Sequence, residues 1–136
     1  MFLVILLLSA CGKEIENVEE VNVNYWENGV RNQKDEVISD KSSVEIFTKA
    51  VSEAIELDKG KVITTKPLLS FHLVAKEGEQ GYHLWITSNG NGYIQSLYPT
   101  NGDTFKLIKT SIASLTEFIN SKENIDVIQN EIEFEE

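Results

Sequence analysis

Three clusters of turn-forming residues divide the middle of this chain and restrict it to a narrow set of folds. Glu77-Gly78-Glu79-Gln80-Gly81, Asn89-Gly90-Asn91-Gly92 and Pro99-Thr100-Asn101-Gly102-Asp103 stand between short runs rich in aliphatic and aromatic residues. Gly and Asn supply the positive φ angles of tight hairpin loops, and Pro interrupts a strand. The runs themselves read as strands. In Leu68 to Lys76, the residues Leu69, Phe71, Leu73 and Ala75 alternate with Leu68, Ser70, His72 and Val74, the period of two that places alternate side chains on opposite faces. Tyr82 to Ser88, Tyr93 to Tyr98 and Thr104 to Ile108 follow. Connections this short return each strand beside its predecessor, which predicts an antiparallel meander.

The flanking segments add the remaining elements. Val21, Val23 and Tyr25 alternate with Asn22, Asn24 and Trp26 and predict a half-buried first strand that ends at Glu27-Asn28-Gly29. Ser42 and Glu45 have the spacing of a capping box, after which Val44, Phe47, Val51, Ala54 and Ile55 recur at helical intervals until Lys59-Gly60. A second helix carries Ile112, Leu115, Phe118 and Ile119, capped by Thr110 or Ser111. The expected fold class is α+β: an antiparallel sheet of about four to five strands with two helices packed on it.

The N-terminus carries an address. Phe2 to Leu8 is an unbroken apolar stretch followed by Ser9-Ala10-Cys11-Gly12 and the charged Lys13-Glu14, the layout of an export signal. Leu8-Ser9-Ala10-Cys11 resembles the bacterial lipobox, in which the Cys thiol receives a diacylglycerol before cleavage leaves that Cys first in the mature chain. Burying each acyl methylene is worth about 0.8 kcal/mol, so two or three chains hold where one does not. No Lys or Arg precedes the stretch, a departure from the usual basic start. The alternative, a buried strand with Cys11 as a small core residue, gives no reason for the Ala-Cys-Gly step. The expected organisation is a lipoprotein signal peptide at 1–10, lipidated Cys11 with an acidic spacer at 11–20, one α+β domain at 21–122, and an acidic tail at 123–136 that ends solvated or adds an edge strand. The predicted location is the outer face of the cytoplasmic membrane. With Cys11 the only cysteine among 136 residues, no intrachain disulfide is possible.

From Val44 to Ile119 a series of motifs resembles a known family. Phe47, Ala50 and Val51 on a helix, the step Gly60 to Val62, the strand Tyr82-His83-Leu84-Trp85-Ile86 and the turn Asn101 to Thr104 are similar to the YhfM-like domain of small lipoproteins from Gram-positive spore formers. Ile63-Thr64-Thr65-Lys66-Pro67 departs from it, standing where an acidic, Pro-containing step is expected. The resemblance implies a membrane-anchored extracytoplasmic domain and brings no established activity with it.

Composition narrows the partners. A formal net charge of −10 and an estimated pI of 4.7 repel phosphate backbones, so no nucleic-acid partner is expected. If Lys76 pairs near Gly81, Leu73 opposes Leu84, Phe71 opposes Ile86, His72 faces Trp85 and Val74 faces His83, and a matching register sets Tyr98 beside His83. That register predicts a ligand-binding face of His72, His83, Trp85 and Tyr98 suited to a sugar or a peptide; the alternatives are that the second helix covers it or that these aromatics are ordinary cross-strand pairs. Two histidines without close spacing do not make a zinc site, and no metal or cofactor is expected. No Gly-x-Ser-x-Gly elbow exists, and Asn89 to Gly92 lacks the Lys and Ser/Thr of a phosphate loop. The expected function is a non-enzymatic, lipid-anchored binding domain for an envelope protein or cell-wall ligand. Behind it stand a regulatory or inhibitory module of an envelope enzyme, touching its partner through Asn89 to Gly92 and Trp85, and a small hydrolase using His83 or His72 as base.

Overall fold

Alternation from Val21 to Tyr25 produces β1 (Glu20–Glu27), and the same pattern produces β5 (Leu69–Ala75) beside it. The computed structural model describes residues 17–27, 30–31, 35–57, 63–98 and 103–121. The remaining elements are β2 (Val30–Arg31), β3 (Glu36–Ile38), α1 (Lys41–Ser52), β4 (Ile55–Glu56), β6 (Gly78–Ile86), β7 (Gly92–Tyr98), β8 (Thr104–Lys106) and α2 (Lys109–Asn120). All strands join one antiparallel sheet in the order β2-β1-β5-β6-β7-β8-β4, with β3 also pairing on β1. The fold is α+β. The expected meander is present as β5 to β8, and the strands beyond the predicted four to five are β2, β3 and β4, two or three residues each and too short to show a period.

Both helices pack on one face of the sheet. Val21, Val23, Leu69, Phe71, Leu73, Tyr82, Leu84 and Ile94 meet Phe47, Val51, Ile112, Leu115 and Ile119 in a single buried cluster. Phe47 lies at its centre, 5.0 Å from the Phe71 ring and 5.4 Å from Phe118, while Phe71 stacks on Tyr82 at 5.3 Å. Burying one such phenyl ring contributes about 1.5–3 kcal/mol, and each aromatic pair about 0.5–1.5 kcal/mol more.

Several boundaries differ from those the sequence predicts. The first helix starts two residues earlier, because Asp40 rather than Ser42 is the cap and accepts the free N–H of Ser43 at 3.0 Å. It stops at Ser52, and Ile55 leaves the helix to pair with Lys106 on the sheet edge, where it is 59% exposed. The second helix is capped by the backbone of Ile108 without a side-chain bond, so neither Thr110 nor Ser111 acts as the cap.

The largest correction concerns the β5–β6 hairpin. Its loop is only Lys76-Glu77; Gly78, at φ +148, opens β6, and Glu79, Gln80 and Gly81 belong to the strand. Leu73 therefore opposes Gln80 rather than Leu84, and Phe71 opposes Tyr82 rather than Ile86. The partner shifts by four positions, an even number, so every side chain keeps its face. Cys11 and its signal, the turns at Asn28-Gly29 and 99–102, the step Gly60 to Val62 and the tail after Ser121 lie outside the described residues.

Candidate functional site

The face turned away from the helices is built in rows across four strands, because directly opposed residues share a face. Asn24 on β1, Ser70 on β5, His83 on β6 and Gln95 on β7 form one row. Asn22, His72 and Gly81 form the next, and Gly81 is opposed on β7 by Tyr98 across a register shift. Trp85 and Tyr93 pair on the other side of His83, and the Trp26 N–H reaches the Leu68 carbonyl at 3.1 Å on the same level. Among the described residues no helix packs on this face.

One hydroxyl organises its centre. The Trp26 Nε1–H donates to Ser70 Oγ at 2.9 Å, and Ser70 Oγ lies 2.8 Å from His83 Nδ1. An indole nitrogen can only donate, so Ser70 accepts from Trp26; the hydroxyl keeps one proton and a second lone pair, so the direction of its bond with His83 Nδ1 is set by the imidazole tautomer. The Trp26 ring folds over Ser70, which is fully buried, and its plane stands 88° to the imidazole at 5.5 Å. Trp85 meets the imidazole from the other side at 5.9 Å and 85°. His83 is thus held between two indoles.

Two further side chains define the surroundings. Asn24, 3% exposed, donates its amide to Asp35. Among the described residues the buried Asn22 Oδ1 has no hydrogen-bond partner, which costs about 1–3 kcal/mol for a buried polar group. Charges lie at the rim, where Glu20 and Glu79 flank Val74 and Lys106 pairs with Tyr93.

The structure brings His72 and His83 onto one face, two positions apart along it, although His72 opposes Gly81 and not Trp85, and His83 opposes Ser70 and Gln95 and not Val74. Trp85 is 1% exposed and donates Nε1–H to the Thr65 carbonyl at 2.9 Å. It is a structural anchor under the segment that leads into β5, so neither stacking on a ligand nor touching a partner is open to it. Tyr98 pairs with Gly81 rather than standing beside His83, because the register that sets Gly92 opposite Ile86 already places Gln95, three residues earlier on β7, opposite His83. Trp26, Ser70 and Asn22 are the residues that sequence reasoning missed. For Trp26 a signal existed, since it shares its strand parity with Asn22 and Asn24; Ser70 carried none.

Comparison of the chain with protein-family models, curated proteins and solved structures finds no match. What the face can do follows from its own geometry. Ser70 resembles a nucleophile beside a base only by distance: it is wholly buried and its oxygen is engaged by both Trp26 and His83, whereas an attacking hydroxyl must reach substrate. Among the described residues no group of three or more His, Cys, Asp or Glu is placed to hold a metal ion. No described helix is long and apolar enough to cross a membrane. The arrangement fixes an aromatic surface and presents hydrogen-bonding groups around it.

Proposed function

We propose that the chain is a lipoprotein held at the outer face of the cytoplasmic membrane by a diacylglycerol on Cys11, and that its domain is a non-enzymatic binding module whose ligand lies on the helix-free sheet face. The observation that carries the binding reading is the Trp26–Ser70–His83 assembly, a half-buried indole locked in orientation on the same sheet face as Asn22, whose buried Oδ1 has no hydrogen-bond partner among the described residues. Sites of this kind combine apolar surface with a few placed polar groups. The centre holds no acidic or basic residue other than histidine, and the rim mixes Glu20 and Glu79 with Lys106, so no cluster of one charge is offered to an ionic ligand. An uncharged glycan chain of the cell wall fits these terms: its C–H faces stack on the indole, and a hydroxyl or amide N–H satisfies Asn22. The anchoring reading rests on Leu8-Ser9-Ala10-Cys11 and the apolar stretch before it.

Titration of the full chain with soluble cell-wall glycan fragments, read by calorimetric heat, tests the ligand. A saturable change that disappears in Trp26→Ala while the melting transition is retained supports it; no response from the wild type sinks it. Intact mass of the membrane fraction tests the anchor. Wild type should yield a diacylated or triacylated species beginning at Cys11, Cys11→Ser should not, and identical unmodified masses would overturn the lipoprotein reading.

A further inference from the structure

Asn-Gly occurs twice in the tip between β6 and β7, as Asn89-Gly90 and Asn91-Gly92, and the fold treats the two pairs differently. Asn89 and Gly90 are exposed. Gly90 has φ +90, and a Cβ built on it would meet nothing within 4 Å, so no side chain of a neighbouring element crowds the residue. Asn89 Oδ1 accepts the hydroxyl of Thr87 and, at 3.4 Å, the side-chain amide of Asn91. Thr87 is 5% exposed, and its oxygen is fixed in turn by the Asn91 backbone N–H at 3.1 Å. Gly92, by contrast, is a buried residue of β7 paired with Ile86, with Ile112 Cγ1 only 2.9 Å from where a Cβ would stand.

We infer that Asn89 is a site of spontaneous covalent modification, converted by its own neighbour to aspartate and isoaspartate, and that Thr87 is the positioning residue for the reaction. The Gly90 backbone nitrogen attacks Cγ of Asn89, forming a C–N bond and pushing an electron pair onto Oδ1. The bond from Cγ to Nδ2 then breaks, and Nδ2 leaves as ammonia with the proton that the Gly90 nitrogen gives up. The product is a five-membered succinimide. Water opens it at either carbonyl, giving aspartate or an isoaspartyl link in which the main chain runs through the side-chain carbon. Overall one water is consumed, one ammonia is released, and nothing is oxidised or reduced. The hydrogen bonds onto Oδ1 stabilise the charge that develops there, which is the logic of an oxyanion hole. Attack requires the turn bond from Gly90 N–H to the Thr87 carbonyl, 3.1 Å long, to open first.

The modification adds a carboxylate to an already acidic chain and, in the isoaspartyl form, lengthens the backbone of a loop that sets the β6–β7 register. Thr87 follows Trp85 by two residues and shares its face, so the change occurs at the border of the candidate site.

The purified, folded full chain is aged at mildly alkaline pH and followed by peptide mapping, which separates amide from acid and aspartate from isoaspartate. Asn89 should convert several-fold faster than Asn91 in the folded chain, and the two should converge in denaturant. Thr87→Val should slow conversion at Asn89 several-fold, and Thr87→Ser, which keeps the hydroxyl, should restore it. Conversion of Asn91 as fast as Asn89 in the folded wild type overturns the site. A Thr87→Val variant ageing at the wild-type rate overturns the role of Thr87.

Discussion

Ser70 Oγ lies 2.8 Å from His83 Nδ1, and because the same oxygen receives the Trp26 indole N–H, one hydroxyl ties β1, β5 and β6 together on the face that the helices leave uncovered. The connection is made by a residue with no exposed surface, so water cannot take its place without a rearrangement of the sheet face. Side-chain orientation at the candidate site is therefore fixed from beneath.

Replacing Ser70 with Ala should remove both bonds and leave two ring nitrogens short of a partner. The expected cost is about 1–3 kcal/mol in denaturant unfolding, with a red shift of tryptophan emission as Trp26 loses its tether. A double-mutant cycle with His83→Ala should show that the two losses are not additive. A Ser70→Ala variant indistinguishable from wild type in stability and emission would remove the hydroxyl from its organising role.

Face, class and register were legible in the sequence to different degrees. The alternation of Leu69, Phe71, Leu73 and Ala75 identified the core face, and Phe47, Leu115 and Ile119 identified the two helices that cover it. The hairpin at Lys76-Glu77 misled because two glycines among five polar residues look like a loop, whereas Gly78 alone takes a positive φ and Gly81 pairs inside the sheet. Ile55 fell on the apolar stripe of the first helix, but the helix ends before it and the residue serves an edge strand. The site itself was half visible. Both histidines kept their common face because the register error was even, while Trp85, read as a contact residue, is buried, and Trp26 holds the half-exposed position instead. Ser70 could not be found from sequence, since its importance comes from two partners on different strands.

Gly92→Ala should destabilise the fold although Gly92 has an ordinary backbone conformation. The added methyl would sit 2.9 Å from Ile112 Cγ1 and 3.1 Å from Leu107 Cδ1, and overpacking of this kind costs about 1–3 kcal/mol. Shortening the obstructing side chain by Ile112→Ala in the same chain should recover part of that loss. If the double variant is less stable than the sum of the two single losses, the clash is not the cause.

Tyr25 makes stability fall at alkaline pH. Burial raises its phenol pKa well above the ordinary 10.0, and the nearby Glu36 carboxylate, which accepts the hydroxyl at 3.4 Å, raises it further. The folded chain keeps a proton that the unfolded chain releases, so this contribution is intact below pH 10 and is lost as pH rises towards the raised value. In a phenolate absorbance titration, one component should resist ionisation until the chain unfolds, and it should vanish in Tyr25→Phe. That variant should also hold its melting temperature better than wild type above pH 10. Equal alkaline behaviour of the two proteins would refute the assignment.

Asp40 provides the opposite pH dependence at the start of α1. Its carboxylate accepts the Ser43 N–H at 3.0 Å and the Ser42 hydroxyl at 3.2 Å, and these bonds, the one from Ser43 first, hold its pKa below the ordinary 3.8. A depressed pKa means that the folded state favours the charged form, so the stabilisation is present above pH 3.8 and is lost as pH falls through the folded value. Asp40→Ala should therefore melt below wild type at neutral pH, and the gap should narrow on acidification. Asp40→Asn keeps an acceptor for the Ser43 N–H without the charge and should show little of that pH dependence. Melting temperatures of the three proteins across an acid series separate the cap from the charge: if Asp40→Asn follows Asp40→Ala at neutral pH, the stabilisation comes from the carboxylate's charge at the helix N-terminus rather than from the acceptor it offers.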